Sequence, residues 1–179
     1  ALIRAVHCDR AAQLSEAAAR FDGMIDYYTL WAHQIKTPIS AMRLLLQEPS
    51  PDPKELSDEL FKIEQYVEMA LCYLRLNSES TDYVLRPADL DEVVRQALRK
   101  YAPQFIRRKI ALDYQPLGAR ALTDEKWLSF VVEQVLSNAL KYAPGGKIAI
   151  RLEQPLTLVI SDTGIGIAPE DLPRVFEKG

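Results

Sequence analysis

Apolar residues recur at Leu14, Ala18, Phe21, Ile25, Tyr28, Ala32, Ile35, Ile39, Met42 and Leu46, at intervals that alternate between four and three. That rhythm is the a/d seam of a coiled coil, and it predicts one long helix over about 2–47. Toward its start the register frays, because Arg4 and His7 fall on extrapolated seam positions; His7 reads as a linker residue without a role. The run EPSPDP, residues 48–53, carries three prolines and forbids continuation of the helix. A second helix follows, with Leu56, Leu60, Ile63, Val67, Ala70 and Leu74 in the same alternation. Two antiparallel helices with stripes this narrow cannot close a core between them. Pairing two copies into a four-helix bundle does, so a homodimer through residues 1–78 is expected.

After the polar run NSESTD, residues 77–82, which reads as a linker, the period changes. A short strand is predicted at Tyr83–Arg86, then a helix over Leu90–Phe105 opened by Asp89 as its cap. A strand over Lys109–Tyr114 and a helix over Asp124–Tyr142 follow, with Asp124 in the first turn. Strands at Lys147–Leu152 and Leu156–Ser161 are joined by Glu153-Gln154-Pro155. Strands and helices that do not strictly alternate point to an α+β layer, a sheet covered on one face by helices, over 83–179.

At 179 residues the chain has room for one large or two modest domains. A net charge of -3 and a pI near 5.5 argue against a nucleic-acid partner. Cys8 and Cys72 have no metal-ligand spacing and read as free thiols of a reducing compartment. No run approaches the ~20 apolar residues of a membrane span, and no signal peptide opens the chain. ALIRAVHCDR already reads as helix, so a longer parent protein is expected.

The chemistry starts at His33, one residue past the seam position Ala32, where it flanks the bundle core and faces water. Pro38 lacks the N–H that would bond the Gln34 carbonyl, which predicts a bend beside the histidine. An exposed imidazole on a rigid coil suits a nucleophile, although a lone helical histidine is as often a plain solvated side chain. On the Asp124 helix, Trp127, Val131, Val135, Asn138 and Tyr142 share one stripe with Gln134 among them. Two amides on a face expected to be buried need partners, either nearby backbone or a ligand. An amide oxygen at Asn138 suits Mg²⁺, and Lys141 is placed to reach a phosphate as a point charge. Glu133, about 140° from Asn138, reads as solvated. The run SDTGIGIAP, Ser161–Pro169, follows a strand directly. Gly164 and Gly166 keep side chains out of the backbone path, and Asp162 is an acceptor able to take an amino group's hydrogens. Alone, Asp-Thr-Gly is a common turn.

Taken together, these segments resemble the ordered motifs of bacterial sensor histidine kinases. WAHQIKTP, residues 31–38, is similar to the phospho-acceptor H-box, EQVLSNALKYA to the N-box, DTGIGI to the first glycine-rich box and PRVFEKG to the F-box. They stand in family order over almost the whole chain. The wording around His33 most resembles the intramembrane-sensing kinases of Gram-positive bacteria that respond to envelope stress and peptide antibiotics. The resemblance implies a truncated Bergerat-type ATP-binding domain behind the helical hairpin. It assigns Asn138 to magnesium, Lys141 to phosphate, Tyr142 to packing on adenine and Asp162 to the adenine amino group. Gly164 and Gly166 shape the loop, and Gln134, Ile167 and Phe176 complete the nucleotide-binding set. It implies that His33 is phosphorylated from ATP and that the Thr37 position matters to phosphatase activity, where a hydroxyl one turn after His33 could place a water for regulator dephosphorylation. Gln34, by its own chemistry, can accept the imidazole N–H and hold the tautomer. The phosphoryl group would pass to an aspartate of a response regulator docked on the hairpin. The parent would be a bacterial plasma-membrane protein with this part cytoplasmic and its spans upstream.

Three departures stand out. Gln34 replaces a common acidic residue, Gln134 replaces a common asparagine, and the chain stops at Gly179 before the lid, second glycine-rich box and closing strands. A chain ending there is expected to dimerise without labelling His33 or holding ATP tightly. Two other classes stay open: a non-catalytic dimeric scaffold that binds nucleotide or regulator, and a Bergerat ATPase acting on DNA or client proteins. The seam-flanking histidine, the hairpin and the acidic pI speak against the last.

Overall fold

A computed structural model divides the chain into two compact units, Ala1–Thr81 and Asp82–Gly179, and describes residues 2–76 and 83–175. The expected linker 77–82 and Phe176 lie outside the described residues, as do the side chains of Arg4, His7 and Cys8.

The first unit is a helical hairpin of α1, Leu2–Leu45, and α2, Pro53–Leu76. α1 carries Pro38 inside it without interruption, because neighbouring turns hold the helix across one missing bond. Pro53 stands at the first position of α2, where its missing N–H costs nothing, and the Asp52 carboxylate accepts the Lys54 N–H at 2.8 Å. Among the described residues of the hairpin only Pro38, Ala70 and Cys72 are buried. The seam residues Phe21, Ile25, Ile39, Leu60, Val67 and Leu74 keep between 39% and 57% of their surface. One hairpin does not cover its own stripes.

The second unit starts with β1, Arg86–Asp89, and α3, Leu90–Arg107, followed by β2, Ala111–Tyr114, and β3, Arg120–Thr123. α4, Glu125–Tyr142, then leads to β4, Lys147–Glu153, and β5, Thr157–Asp162. β1 and β3 form an antiparallel pair with Pro87 opposite Leu122. The larger sheet has the order β2-β4-β5, parallel between β2 and β4 and antiparallel between β4 and β5. Its central strand buries Ile148 and Ile150. Val93, Val94, Ala97, Tyr101 and Phe105 of α3 and Val132, Leu136, Ala139 and Leu140 of α4 are buried as well. The class is the expected one, a helical hairpin followed by an α+β layer.

Several boundaries differ from the sequence reading. β1 begins at Arg86 rather than Tyr83, because the partner β3 decides which residues pair. β3 itself, Arg-Ala-Leu-Thr, is too short to show a period. β2 begins at Ala111 because Lys109 takes a left-handed φ of 54°, which turns the chain before it can pair. Asp89 caps α3 as expected, accepting the N–H groups of Asp91 and Glu92. Asp124 is the cap of α4 rather than part of its first turn.

The loop between β2 and β3 is tied down by Asp91 in the first turn of α3. Its carboxylate accepts the Leu117 N–H at 2.9 Å, the Gly118 N–H at 2.8 Å and the Tyr114 hydroxyl. The Tyr114 hydroxyl bond, ahead of those backbone bonds, holds the carboxyl below the usual aspartate range. Burial, with help from Asp91, pushes Tyr114 up to about 12.

Candidate functional site

The helix that carries the amides is fixed at its start. One oxygen of Asp124 accepts the Lys126 and Trp127 N–H groups, and the other accepts the Val84 N–H at 2.9 Å. From that anchor the buried face runs through Val132, Leu136, Ala139 and Leu140. The stripe expected to be buried lies about 120° away and is open instead. Val131 is 54%, Val135 40% and Tyr142 44% exposed; Asn138 is exposed, and Trp127 and Gln134 are half-buried. α4 has two apolar faces, and the one that can meet α3 wins the core. The amides therefore carry no burial penalty, and an apolar face studded with amides is left uncovered. Glu133 is not solvated, as its sequence position suggested. It pairs with Lys100 of α3 at 2.6 Å and ties the two helices.

The C-terminal end of α4 is where the glycine loop attaches. The Tyr142 carbonyl accepts the Ile165 N–H at 3.3 Å. A Cβ at Gly164 would lie 2.4 Å from that carbonyl oxygen and 2.7 Å from Asp162 Oδ1, so only glycine fits this approach. Asp162, the last residue of β5, accepts the Gly164 N–H through Oδ1 at 2.8 Å. That bond occupies Oδ1 and leaves Oδ2 able to accept a further hydrogen. Gly166 has φ +72° with open space around it, so its glycine serves the backbone conformation alone. Ile167 is exposed further along the same loop.

The structure thus brings Asp162, Gly164 and Tyr142 together. Lys141 lies beside them with Nζ 4.9 Å from the Tyr142 ring centre, and Asn138 lies one turn earlier on the open stripe. Among the described residues no cluster of three acidic, histidine or cysteine side chains exists to cage a metal. A lone amide oxygen fits a cation that shares its ligands with phosphates and water. Two residues that the sequence reading missed hold the loop from below. The Thr163 hydroxyl accepts the Lys147 N–H at 2.9 Å, and the Thr163 N–H donates to the Lys147 carbonyl at 3.1 Å. Gly146 leaves room for that hydroxyl, which would lie 2.5 Å from a Cβ there. The adjacent Gly145 and Gly146 are a turn signal that could have pointed here, but nothing in their wording names Thr163 as the neighbour.

His33, Gln34 and Thr37 belong to the other unit. His33 is exposed on α1 and Gln34 half-buried. The Thr37 hydroxyl donates to the His33 carbonyl at 3.3 Å, one turn along the same face. A shallow groove lined by Ile25, Tyr28, Thr29, Ala32, His33 and Lys36 runs beside the imidazole.

Comparison with known proteins bears on both units. The family model for histidine kinase-, DNA gyrase B- and HSP90-like ATPases matches residues 123–179. The chain is 34% identical over 154 residues to the sensor protein BceS of Halalkalibacterium halodurans, covering 83% of this chain and 46% of that protein. It is 31% identical over 175 residues to the sensor histidine kinase YxdK of Bacillus subtilis, covering 92% and 53%. The chain therefore spans about half the length of these relatives. Among solved structures, histidine kinase ThkA in complex with the response regulator protein TrrA aligns with a TM-score of 0.59 at 17% identity. That alignment covers 84% of this chain and 49% of that one, a likeness of fold.

Proposed function

Because this chain belongs to the sensor histidine kinases, we propose that it moves the γ-phosphoryl group of ATP to His33 and then to an aspartate of a response regulator. The observation that carries the reading is the glycine loop clamped on the Tyr142 carbonyl beside the open, amide-bearing face of α4, in a chain that also holds an exposed imidazole on a helical hairpin.

Each residue takes one role in this reading. Asp162 turns Oδ2 toward the adenine amino group, and Tyr142 packs against the ring with a face that is already open. Ile167 and Gln134 line the same nucleotide, and Phe176, outside the described residues, is assigned to it by the family resemblance alone. Asn138 supplies an oxygen for Mg²⁺, and Lys141 a point charge for phosphate. ATP with Mg²⁺ supplies the phosphoryl group and neutralises its charge when bound. His33 presents a ring nitrogen as the nucleophile, and Gln34 holds the imidazole in one tautomer by accepting its N–H. Thr37, one turn on, places a water for the reverse task of dephosphorylating the regulator, which its long, exposed bond to the His33 carbonyl leaves it able to do.

The reading includes a homodimer. The half-exposed seam of Phe21, Ile25, Ile39, Leu60, Val67 and Leu74 is an apolar face of the kind a second hairpin covers. The response regulator docks on the hairpin in this reading, and ThkA, a protein similar in fold, forms a complex with the response regulator protein TrrA. No described helix is long and apolar enough to cross a membrane, and we place this part of the protein on the cytoplasmic side of a bacterial plasma membrane. Radiolabelled ATP tests the reading in the full-length protein. Label should be acid-labile and absent from His33→Gln; a His33→Gln protein that labels like the parent overturns it.

A further inference from the structure

Two side-chain-to-backbone bonds cross the hairpin beside His33, and they run in opposite directions. The Trp31 indole N–H of α1 donates to the Tyr66 carbonyl of α2 at 2.6 Å. The Tyr73 hydroxyl of α2 donates back to the Gly23 carbonyl of α1 at 3.2 Å. Between them the rings interlock. Tyr27 stacks on Tyr73 with centroids 3.7 Å apart and planes at 17°. Tyr28 stands edge-on to Trp31 at 6.3 Å and to Tyr73 at 6.3 Å, joining the two bonds into one cluster. Edge-to-face and stacked contacts of this kind are worth about 0.5–1.5 kcal/mol each beyond burial.

The two bonds sit about 12 Å apart along α1 and about 10.5 Å apart along α2, at 1.5 Å per residue. Two attachments at that separation, one donated by each helix, resist sliding and rotation together, where a single one resists neither well. Gly23, which costs about 1 kcal/mol relative to alanine within a helix, supplies one of the two acceptors. Trp31 precedes His33 by two residues, about 200° around the helix. Holding the indole on α2 therefore turns the imidazole to the opposite side, and His33 is exposed while Trp31 is half-buried.

We propose that Trp31 and Tyr73 form a cross-braced aromatic joint that fixes the rotation and register of α1 on α2, and that Trp31 is thereby a positioning residue for His33. The inference rests on the reading of His33 as the phospho-acceptor. It differs from ordinary packing in one respect: the direction in which His33 projects depends on two hydrogen bonds, of which the Tyr73 bond can be removed by deleting a single oxygen.

Tyr73→Phe removes one oxygen, and Trp31→Phe removes the indole N–H together with the five-membered half of the ring. In the full-length protein, each variant should slow His33 labelling at saturating ATP by about fivefold, the worth of one hydrogen bond of ~1 kcal/mol. The KM for ATP should stay at the parent value, because the nucleotide site lies in the other unit. The chain has two tryptophans, so heteronuclear NMR resolves the Trp31 indole N–H from that of Trp127. Its hydrogen exchange should be slow in the parent and several-fold faster in Tyr73→Phe, although Tyr73 does not bond it. Parent-like labelling in both variants, or a Trp31 N–H exchanging at the solvent rate in the parent, overturns the joint. A parent that labels elsewhere removes the functional reading instead, and the exchange measurement then decides the joint by itself. If Trp31→Phe fails to fold, Tyr73→Phe carries both readouts.

Discussion

Asp162→Asn separates the observed task of one carboxylate oxygen from the adenine recognition proposed for the other. Oδ1 accepts the Gly164 N–H at 2.8 Å, and the amide oxygen of asparagine can take that bond over, so the loop should keep its path. The amide NH₂ then stands where Oδ2 stood and meets the adenine amino group donor to donor. A hydrogen bond to a charged acceptor is worth about 1.5–3 kcal/mol, which is about tenfold to 150-fold in affinity. Asp162 is exposed in this chain, and screening by water favours the lower end, about tenfold. Inosine triphosphate presents an oxygen where ATP presents the amino group, so the variant should bind it better than the parent does. Chemical-shift titrations with both nucleotides read affinities into the millimolar range. Equal ATP affinity in variant and parent would take Asp162 out of the site. An equal loss for both nucleotides would mean that the loop had moved and that the acceptor oxygen was never read.

Three further expectations follow from the same geometry. Gly164→Ala puts a Cβ 2.4 Å from the Tyr142 oxygen and 2.8 Å from its carbonyl carbon, so nucleotide affinity should fall at least about tenfold. Gly166→Ala, with nothing within 4 Å, should cost only its left-handed strain, about 1 kcal/mol in thermal unfolding; equal effects at the two glycines would refute the clamp. Ile39→Asp places a charge on a seam residue that is 42% exposed in one copy, so sedimentation should show a monomer, and an unchanged dimer would mean the heptads pack another way. Asp91 is 9% exposed and its folded carboxyl lies below the unfolded value, so it stabilises above the unfolded pKa and stops doing so as pH falls through the folded one. Asp91→Asn should therefore cost about 2 kcal/mol at neutral pH, with the gap to the parent closing below pH ~4; a gap independent of pH would show that the charge is irrelevant.

The long elements were legible because their periods repeat. Nine seam positions in α1 and six in α2 say helix, and the missing width of their stripes says that one hairpin leaves apolar surface open, which the half-exposed Ile39 and Val67 bear out. Capping chemistry is equally local, so Asp89 could be named from its place before an apolar run. Asp162 and the two glycines were found because a turn at a strand end is written in neighbouring residues. What sequence could not supply is competition between distant surfaces. α4 has two apolar stripes of similar quality, and only the presence of α3 decided that Val132, Leu136 and Leu140 are buried while Val131, Val135 and Asn138 stay open. Glu133 became an ion pair because Lys100, 33 positions earlier, came within 2.6 Å. β3 exists because β1 lies beside it, and Thr163 holds the loop because Lys147 and Gly146 end up beneath it. Local periodicity sets which faces are apolar, whereas which face is covered depends on partners brought close only when the whole chain folds.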